Sequence, residues 1–339
     1  MNQQRPATAI IVPTLNEEHY IVPCLSSLLA IRPDYVRQII VVDGGSTDRT
    51  VELVQEVARA EPVVSVLHNP KRLQSAAVNL AARLAAPEVR ALLRADAHAV
   101  YPPGFIETCI AALGVWRADS VVVPVHTVGV TGLQRAVAAA QNSRLGNGGS
   151  AHRTGTAAGR YVEHGHHAAF DRDAFLRIGG YDETFSHNED AEFDHRLCLS
   201  GGRIWMAEQA VTYFPRRTFV SLAQQYRRNG AGRARTIKLH RMRPRLRQLM
   251  PLILLAASLG GLALMPESRW FGLVPLLYAL CCLAWGIIGA IRTRDAWLLA
   301  MGPAAITMHM AWAVGFIRSW LERPLGTATG QQWHPRPEV

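Results

Sequence analysis

Gln38-Ile39-Ile40-Val41-Val42-Asp43-Gly44-Gly45-Ser46-Thr47-Asp48 decides the fold. An unbroken apolar run bounded by turn residues reads as a strand buried on both faces, as in a parallel sheet. It ends on an acid and two glycines. Ser46 or Thr47 then caps a helix over Thr47–Ala60, with Asp48 in its first turn facing the positive end of the dipole. The same alternation extends in both directions. Strands are predicted at Thr8–Thr14, Val63–Leu67, Arg90–Ala95 and Ser120–Val128, and helices at Tyr20–Ala30 and Gln74–Ala86. Pro23 is tolerated only because it lies near a helix start. The pattern predicts an α/β domain with a Rossmann-like, mostly parallel sheet covered by helices. Such sheets take ligands beyond the carboxyl ends of their strands.

Farther along, Gly129–Gly165 is rich in Gly, Ala and Ser and reads as loops and a helix around an open cleft. Helices follow at Asp171–Gly180 and Asp190–Ser200, each ended by paired glycines, then a strand at Arg203–Ala207. Eleven basic residues lie between Arg216 and Arg247 with no acid among them. Three uncharged apolar stretches come next: Leu249–Met265 with 17 residues, Trp270–Ile291 with 22 and Ala296–Ile317 with 22. Crossing a bilayer takes about 20 residues, so the second and third suffice and the first is marginal. Three spans would put the tail on the far side; the alternative is two spans and an interfacial third segment. The expected division is a catalytic domain over 1–215, a basic amphipathic segment over 216–248, a transmembrane region over 249–317 and a polar tail over 318–339.

The net charge of +10 is concentrated beside the apolar stretches. That places it against anionic lipid on the cytoplasmic side and argues against nucleic acid as a partner. The five cysteines, Cys24, Cys109, Cys198, Cys281 and Cys282, form no CxxC and no even framework, as expected for a reducing compartment. The N-terminal apolar run is short and ends in polar loop residues, unlike a signal peptide.

Five motifs carry chemistry. Val12-Pro13-Thr14-Leu15-Asn16-Glu17-Glu18 closes the first strand. Its polar groups can meet a nucleobase, or merely solvate a turn that caps the next helix. In the Asp43 loop the glycines permit close backbone approach and the carboxylate can accept from ribose or base; a plain capped turn is the other reading. Neither GxGxxG nor GxxxxGK[ST] occurs, which argues against dinucleotide redox and kinase chemistry. Leu92-Leu93-Arg94-Ala95-Asp96-Ala97-His98 places Asp96 and His98 at i, i+2 where a strand opens into a loop. A carboxylate and an imidazole there suit Mn²⁺ or Mg²⁺ carrying a diphosphate; otherwise they are a helix cap and a surface histidine. In His187-Asn188-Glu189-Asp190 the acids open a helix, where its dipole stabilises them, and Asp190 is also placed to take a proton from a sugar hydroxyl. Gln224-Gln225-Tyr226-Arg227-Arg228-Asn229 offers arginine forks to phosphate, or further charge to lipid. Glu163-His164-Gly165-His166-His167 has no HExxH helix or cysteine partner and reads as polar cleft residues near an acceptor, not as a zinc site.

These motifs, in this order, resemble those of the family 2 inverting glycosyltransferases with the GT-A fold. The resemblance covers about Thr8 to Arg235 and continues into the apolar segments. It is carried further by Asn69–Ala82 (NPKRLQSAAVNLAA), Leu92–Phe105 (LLRADAHAVYPPGF), the Gly146–Gly149 loop and Gln224–Thr236 (QQYRRNGAGRART), and within the family the chain looks most like the succinoglycan glucosyltransferase type. The resemblance implies that Pro13, Thr14, Asn16, Glu17 and Asp43 line the nucleotide pocket and that Arg72 and Arg94 approach the nucleotide-sugar. Asp96 would begin the metal-binding DxD motif, whose last acid is replaced by His98. Asp190 would match the catalytic base, with Glu189 beside it. Gln225 and Arg228 overlay QxxRW, but Asn229 stands in place of its Trp, which weakens a polymer-synthase reading. The expected protein is a multi-pass enzyme of the bacterial inner membrane with a cytoplasmic catalytic domain. It would move a sugar, glucose from UDP-glucose by resemblance, from a nucleotide-diphosphate donor to a polyprenyl-diphosphate-linked saccharide, with His166 and His167 near the acceptor. The competing expectations are a polyprenyl-phosphate sugar transferase, a processive polysaccharide synthase, and a non-catalytic membrane scaffold.

Overall fold

The structure, a computed structural model, describes residues 5–150, 153 and 158–322. In chain order the first strands and helices are β1 (Thr8–Thr14), α1 (Ile21–Ala30), β2 (Val36–Asp43), α2 (Thr50–Ala60), β3 (Val64–His68) and α3 (Gln74–Leu84). They are followed by β4 (Ala91–Arg94), β5 (Ala99–Val100), α4 (Phe105–Val115), β6 (Ser120–Val123), β7 (Val125–Thr127), α5 (Gly132–Asn142) and α6 (Arg144–Asn147). Then come β8 (Arg160–Val162), β9 (His166–Asp171), α7 (Arg172–Arg177), α8 (Glu189–Leu199), β10 (Ile204–Met206) and β11 (Val211–Tyr213). The last helices are α9 (Phe219–Leu239), α10 (Leu246–Leu264), α11 (Leu273–Thr293) and α12 (Met301–Leu321). The chain separates into two compact units. One draws its described residues from Met1–Val125 and Gly155–Tyr213, the other from His126–Thr154 and Phe214–Leu325.

The first unit is built on a sheet ordered β3-β2-β1-β4-β9-β6-β10-β8. The β3-β2-β1-β4 half is parallel, and its register aligns Thr14 with Asp43 and Ile11 with Arg94. That alignment brings the polar ends of three separate strands to one edge. β9 enters the middle antiparallel to both β4 and β6, so the sheet is mixed. Its sequence, His166-His167-Ala168-Ala169-Phe170-Asp171, lacks the apolar run of the other central strands, which is why no strand was expected there. The expected strand Ser120–Val128 breaks at Pro124, which has no N–H to donate to a ladder.

One face of the sheet packs Ile10, Val12, Ile39, Val41 and Leu93 against Leu25 and Leu28 of α1 and Ile106 and Ile110 of α4. Each such burial stabilises the fold by roughly 1.5–3 kcal/mol. The other face holds an aromatic cluster of Phe170, Phe175, Tyr181 and Phe193, with the His167 ring 5.0 Å from Phe170 and 5.4 Å from Phe193.

The second unit is helical. Thr131 and Gln134 form a reciprocal capping box at the start of α5 within the expected Gly129–Gly165 loop region, part of which lies outside the described residues. The segments Leu246–Leu264, Arg269–Thr293 and Ala296–Leu321 are each long and apolar enough to cross a membrane, and they fit a membrane-anchored protein. Helix α12 runs on to Leu321; residues 323–339 of the expected polar tail lie outside the described residues.

Candidate active site

The loop after β2 is tied to the loop after β1. Asp43 accepts hydrogen bonds from the backbone N–H of Gly45 at 2.8 Å and of Ser46, and from Ser46 Oγ at 2.5 Å. Ser46 Oγ in turn accepts from the Asn16 N–H at 2.8 Å, and Asn16 Oδ1 accepts from the Thr47 N–H at 2.8 Å. Asp43 thus shapes its own turn, as Asx side chains do. Arg72 Nη2 donates to the Gly45 carbonyl at 3.2 Å. Thr14 is buried and donates to Val12 O, while Pro13 is half-buried. Asn16, Arg72 and Asn188 hold left-handed backbone at φ 55, 59 and 67°, a conformation uncommon outside glycine. All three stand in loops that carry motif residues.

Asp96 is the hub of the next layer. It is buried just past β4, and Oδ1 accepts from Arg94 Nε at 3.3 Å and Gln74 Nε2 at 3.0 Å. Oδ2 accepts from the Tyr213 hydroxyl and lies 3.6 Å from His166 Nε2, which itself donates to the Tyr213 oxygen at 2.8 Å. Burial pushes the Asp96 carboxyl up, but Arg94, His166 and His98 outweigh it and hold the group well below the usual carboxylate range. His98 packs its ring edge-on to Tyr213 and directs Nδ1 to Glu17 Oε1 at 3.2 Å. Glu17, His98, Tyr213 and Asp96 therefore form one continuous polar run.

Arg94, expected to face the nucleotide-sugar, is only 7% exposed. Its guanidinium bridges Asp96 to the start of α8, with Nη1 3.5 Å from Glu189 Oε1 and donating to the Tyr181 hydroxyl oxygen at 3.2 Å. It acts as a cross-link between β4 and α8. One buried cation cannot hold two carboxylates ionised. Burial lifts the Glu189 carboxyl above its ordinary range, against the pull of Arg94 and with a push from Asp190's charge. Asp190 goes the other way: burial opposes ionisation, but His164, His167, Arg94 and His166 hold it well below that range. The two neighbouring carboxyls are thus pushed in opposite directions by their surroundings. Among the described residues, the Asp190 carboxylate accepts only from the Ala191 N–H, leaving its second oxygen uncommitted.

His167, expected near an acceptor, is instead 1% exposed with both ring nitrogens engaged. Nε2 donates to Asp194 Oδ1 at 2.8 Å, and Nδ1 accepts from the Tyr181 hydroxyl at 2.5 Å. Asp194 Oδ2 accepts from His164 Nδ1 at 2.8 Å and from the Gly165 N–H at 3.2 Å. Gly165 lies so close to Val122 that any side chain there would collide. His166 remains at the Asp96 side. The sequence reading missed Asp194, Tyr181, Tyr213 and Gln74. Asp194 carried a signal, since an acid four residues after Asp190 falls on the same helical face.

Gln225 and Arg228 lie on α9, in the second unit; the Gln225 amide oxygen is buried with no hydrogen-bond partner among the described residues. No group of three or more His, Cys, Asp or Glu side chains among the described residues is arranged to hold a metal ion.

The family model for glycosyl transferase family 2 matches residues 9–179, and that for glycosyl transferase family group 2 matches 96–317. The succinoglycan biosynthesis protein ExoA of Rhizobium meliloti is 43% identical over 318 residues, covering 93% of this chain and 96% of that protein. The chain is a family 2 glycosyltransferase. The transferase also matches, over a shorter stretch of 73 residues, the dolichyl-phosphate β-glucosyltransferase ALG5C of Trichomonas vaginalis; identity is 34%, and coverage is 20% of this chain and 22% of that protein. Among solved structures it shares its fold with the mannosyltransferase PcManGT of Pyrobaculum calidifontis, solved with GDP-Man and Mn²⁺. The TM-score is 0.58 at 20% identity, covering 94% of this chain and 88% of that one. The GT-A expectation for the sheet domain holds.

Proposed function

We propose that the transferase moves a sugar from a nucleotide-diphosphate donor to a polyprenyl-linked saccharide, with inversion, in exopolysaccharide assembly at the cytoplasmic face of a bacterial inner membrane. Likeness to a succinoglycan biosynthesis protein supports the pathway class, and the apolar helices support a lipid-linked acceptor. One observation carries the chemistry: Asp190 is held ionised with an uncommitted oxygen, in the same polar cluster as Asp96.

In this reading the Asn16–Asp43–Arg72 loops receive the nucleotide, with Pro13, Thr14 and Glu17 around them. Asp190 accepts the proton of the acceptor hydroxyl as its oxygen bonds to the anomeric carbon. The bond to the diphosphate breaks on the opposite face, and the electron pair leaves with the nucleotide diphosphate. Burial of Glu189 disfavours a second charge beside the base. Asp96 with His98 would hold Mn²⁺ or Mg²⁺. Two protein ligands fit an ion that draws the rest of its shell from phosphate and water, and carboxylate oxygens can accept beyond their present donors. When bound, the ion would stabilise charge on the leaving diphosphate. Arg228 and Gln225 are assigned to diphosphate or acceptor, and His166 to the acceptor side of Asp96.

A positioned general base contributes about 10²–10⁴-fold. Asp190→Asn should lower turnover by that factor while donor affinity, measured by calorimetry, stays within about threefold. Near-normal turnover on a lipid-linked saccharide would remove Asp190 from the role. The partial match to a dolichyl-phosphate glucosyltransferase favours a second reading, in which a lipid phosphate is the acceptor. A phosphate needs little help from a base, so activity of Asp190→Asn on polyprenyl phosphate would support it.

A further inference from the structure

We propose that the loop from Ser143 to Ser150, together with Arg247 at the start of α10, binds the phosphate-bearing head of the lipid-linked acceptor. The inference rests on the acceptor class proposed above and names the groups of the second unit that would recognise it.

The loop is firmly held and its tip is bare. Ser143 caps α6: its hydroxyl donates to the Ala140 carbonyl at 2.8 Å and accepts from the Gly146 N–H at 3.1 Å. Asn147 Oδ1 accepts from the N–H groups of Gly149 at 2.7 Å and Ser150 at 3.2 Å, and its Nδ2 donates to the Gln141 carbonyl at 3.1 Å. Gly146 is pressed against the Ala140 carbonyl and Met308 of α12, with no room for a side chain. His309 of α12 donates from Nε2 to the Leu145 carbonyl at 2.8 Å, and its Nδ1 accepts from the Tyr278 hydroxyl of α11 at 2.9 Å. Helices α11 and α12 are themselves locked together, since Gly302 meets the Cys282 carbonyl and Gly286 the Leu298 and Leu299 carbonyls. The loop is therefore tied to both apolar helices. Gly148 and Gly149 follow with left-handed backbone at φ 61 and 70°. Both are exposed, and Gly149 faces open space. Without side chains there, an anion can approach the backbone closely.

Arg247 flanks this tip, and its Cβ bounds the space beside Gly148. It is half-buried, and among the described residues its guanidinium has neither a hydrogen-bond nor an ion-pair partner. The charge that acts on it is that of Arg245, a second cation. Arg144, exposed, adds a third within the loop. No acid offsets them. The sequence has none from 126 to 150, and from 214 to 322 only Glu267, Asp295 and Glu322. Asp295 pairs with Arg135 and Glu322 with Arg318, each acid about 20 Å along the helix from His309. Glu267 lies past the far end of α10, about 30 Å along the helix from Arg247. Withdrawing a cation from water without a counter-ion is costly, so a bound anion would stabilise Arg247. A guanidinium offers phosphate a matching two-pronged fork. Arg247 also stands where the basic run meets an apolar helix. A ligand that joins phosphate to a hydrocarbon chain has that same junction.

Binding to the full chain in neutral detergent tests this with three probes: polyprenyl diphosphate, inorganic diphosphate and phosphatidylglycerol. The first should bind. Inorganic diphosphate, lacking the apolar contribution of the chain, should compete only at about a hundredfold higher concentration. Phosphatidylglycerol at equal concentration should not compete. Arg247→Gln should weaken polyprenyl diphosphate binding by about tenfold or more, and Arg243→Gln, which removes an exposed cation of the same run, by less than about twofold. Gly149→Asp and Gly149→Asn share a shape that tolerates left-handed backbone and differ in charge; the Asp variant should bind about tenfold more weakly than the Asn variant. In transfer assays the Arg247→Gln loss should appear in the acceptor KM, with the donor KM unchanged. Equal losses in Arg247→Gln and Arg243→Gln, or equal binding by the two Gly149 variants, would mean attraction by bulk charge. Equal competition by phosphatidylglycerol would mean a general headgroup contact, and by inorganic diphosphate a free-phosphate site. Each of these overturns the inference and leaves the proposed reaction standing. Failure of the unsubstituted chain to bind polyprenyl diphosphate is a separate result, which would remove the acceptor class and the inference with it.

Discussion

At the scale of single residues, the fold gives like groups different surroundings. Glu189 and Asp190 are adjacent in sequence, yet burial pushes the carboxyl of the first up while histidines and Arg94 hold that of the second down. Glu189→Gln imitates the protonated form, so it should cost less than about fivefold in turnover near pH 6, where Asp190→Asn costs the full general-base factor. Equal losses in parallel steady-state assays would mean that the two acids are not distinguished. Asp194 works at one remove. Its fully buried carboxylate gathers His164, Gly165 and His167, and through His167 and Tyr181 it reaches Arg94. Asp194→Asn leaves one of these donors without an acceptor, which should destabilise by about 1–3 kcal/mol. It should lower kcat with little change in donor KM, because the nucleotide loops do not depend on it. The acids at 43, 96 and 190 were legible as motifs. Their partners were not, because Tyr181, Tyr213 and Asp194 belong to no strand-end pattern and gain meaning only when β9 and β11 bring them in.

At the scale of elements, strong local signals survived and weak ones did not. Long apolar strands in the first hundred residues lie where the patterning put them, and α1 and α3 begin within a residue of expectation; α2 begins at Thr50 without a side-chain cap, because Ser46 is engaged with Asp43 and Asn16 instead of opening the helix. β9 escaped because its stability comes from hydrogen bonding to β4 and β6 on both sides, not from its own composition. The contact of α9 with α12 is likewise a property of the pair. Gly315 and Gly230 read as ordinary glycines in sequence, but each faces a backbone carbonyl of the other helix. Gly315→Leu should force the helices apart. Overpacking of this kind costs about 1–3 kcal/mol or more, a fall in Tm of several degrees for a unit this size. Thermal unfolding in detergent checks it, with Gly260→Leu as control, since that glycine faces open space.

At the scale of the whole molecule, buried carboxylates tie stability to pH. Burial raises the carboxyls of Asp96, Asp190 and Asp194, but histidine and arginine partners prevail and set all three below their ordinary range. A group with a depressed folded pKa stabilises fully above its unfolded value, about 3.9 for Asp, and loses that contribution as pH falls through the folded value. Glu189, raised on folding, contributes in the opposite sense and is lost as pH rises through its folded value. The net expectation is a steep fall in Tm below about pH 4, shallower in Asp194→Asn; an unchanged slope in that variant would show that its carboxylate is not linked to folding.

The amino-acid sequence by itself determined the α/β class, the order of the acidic loops and the presence of apolar helices of membrane length. These follow from periodicity and local turn chemistry, which act over a few residues. Only the tertiary structure decided which carboxyl is pushed up and which held down, which histidine is buried and which apolar helix is covered by charged neighbours. Those outcomes depend on desolvation and on partners distant in the chain, and neither quantity exists until the sheet and the helix pairs have formed.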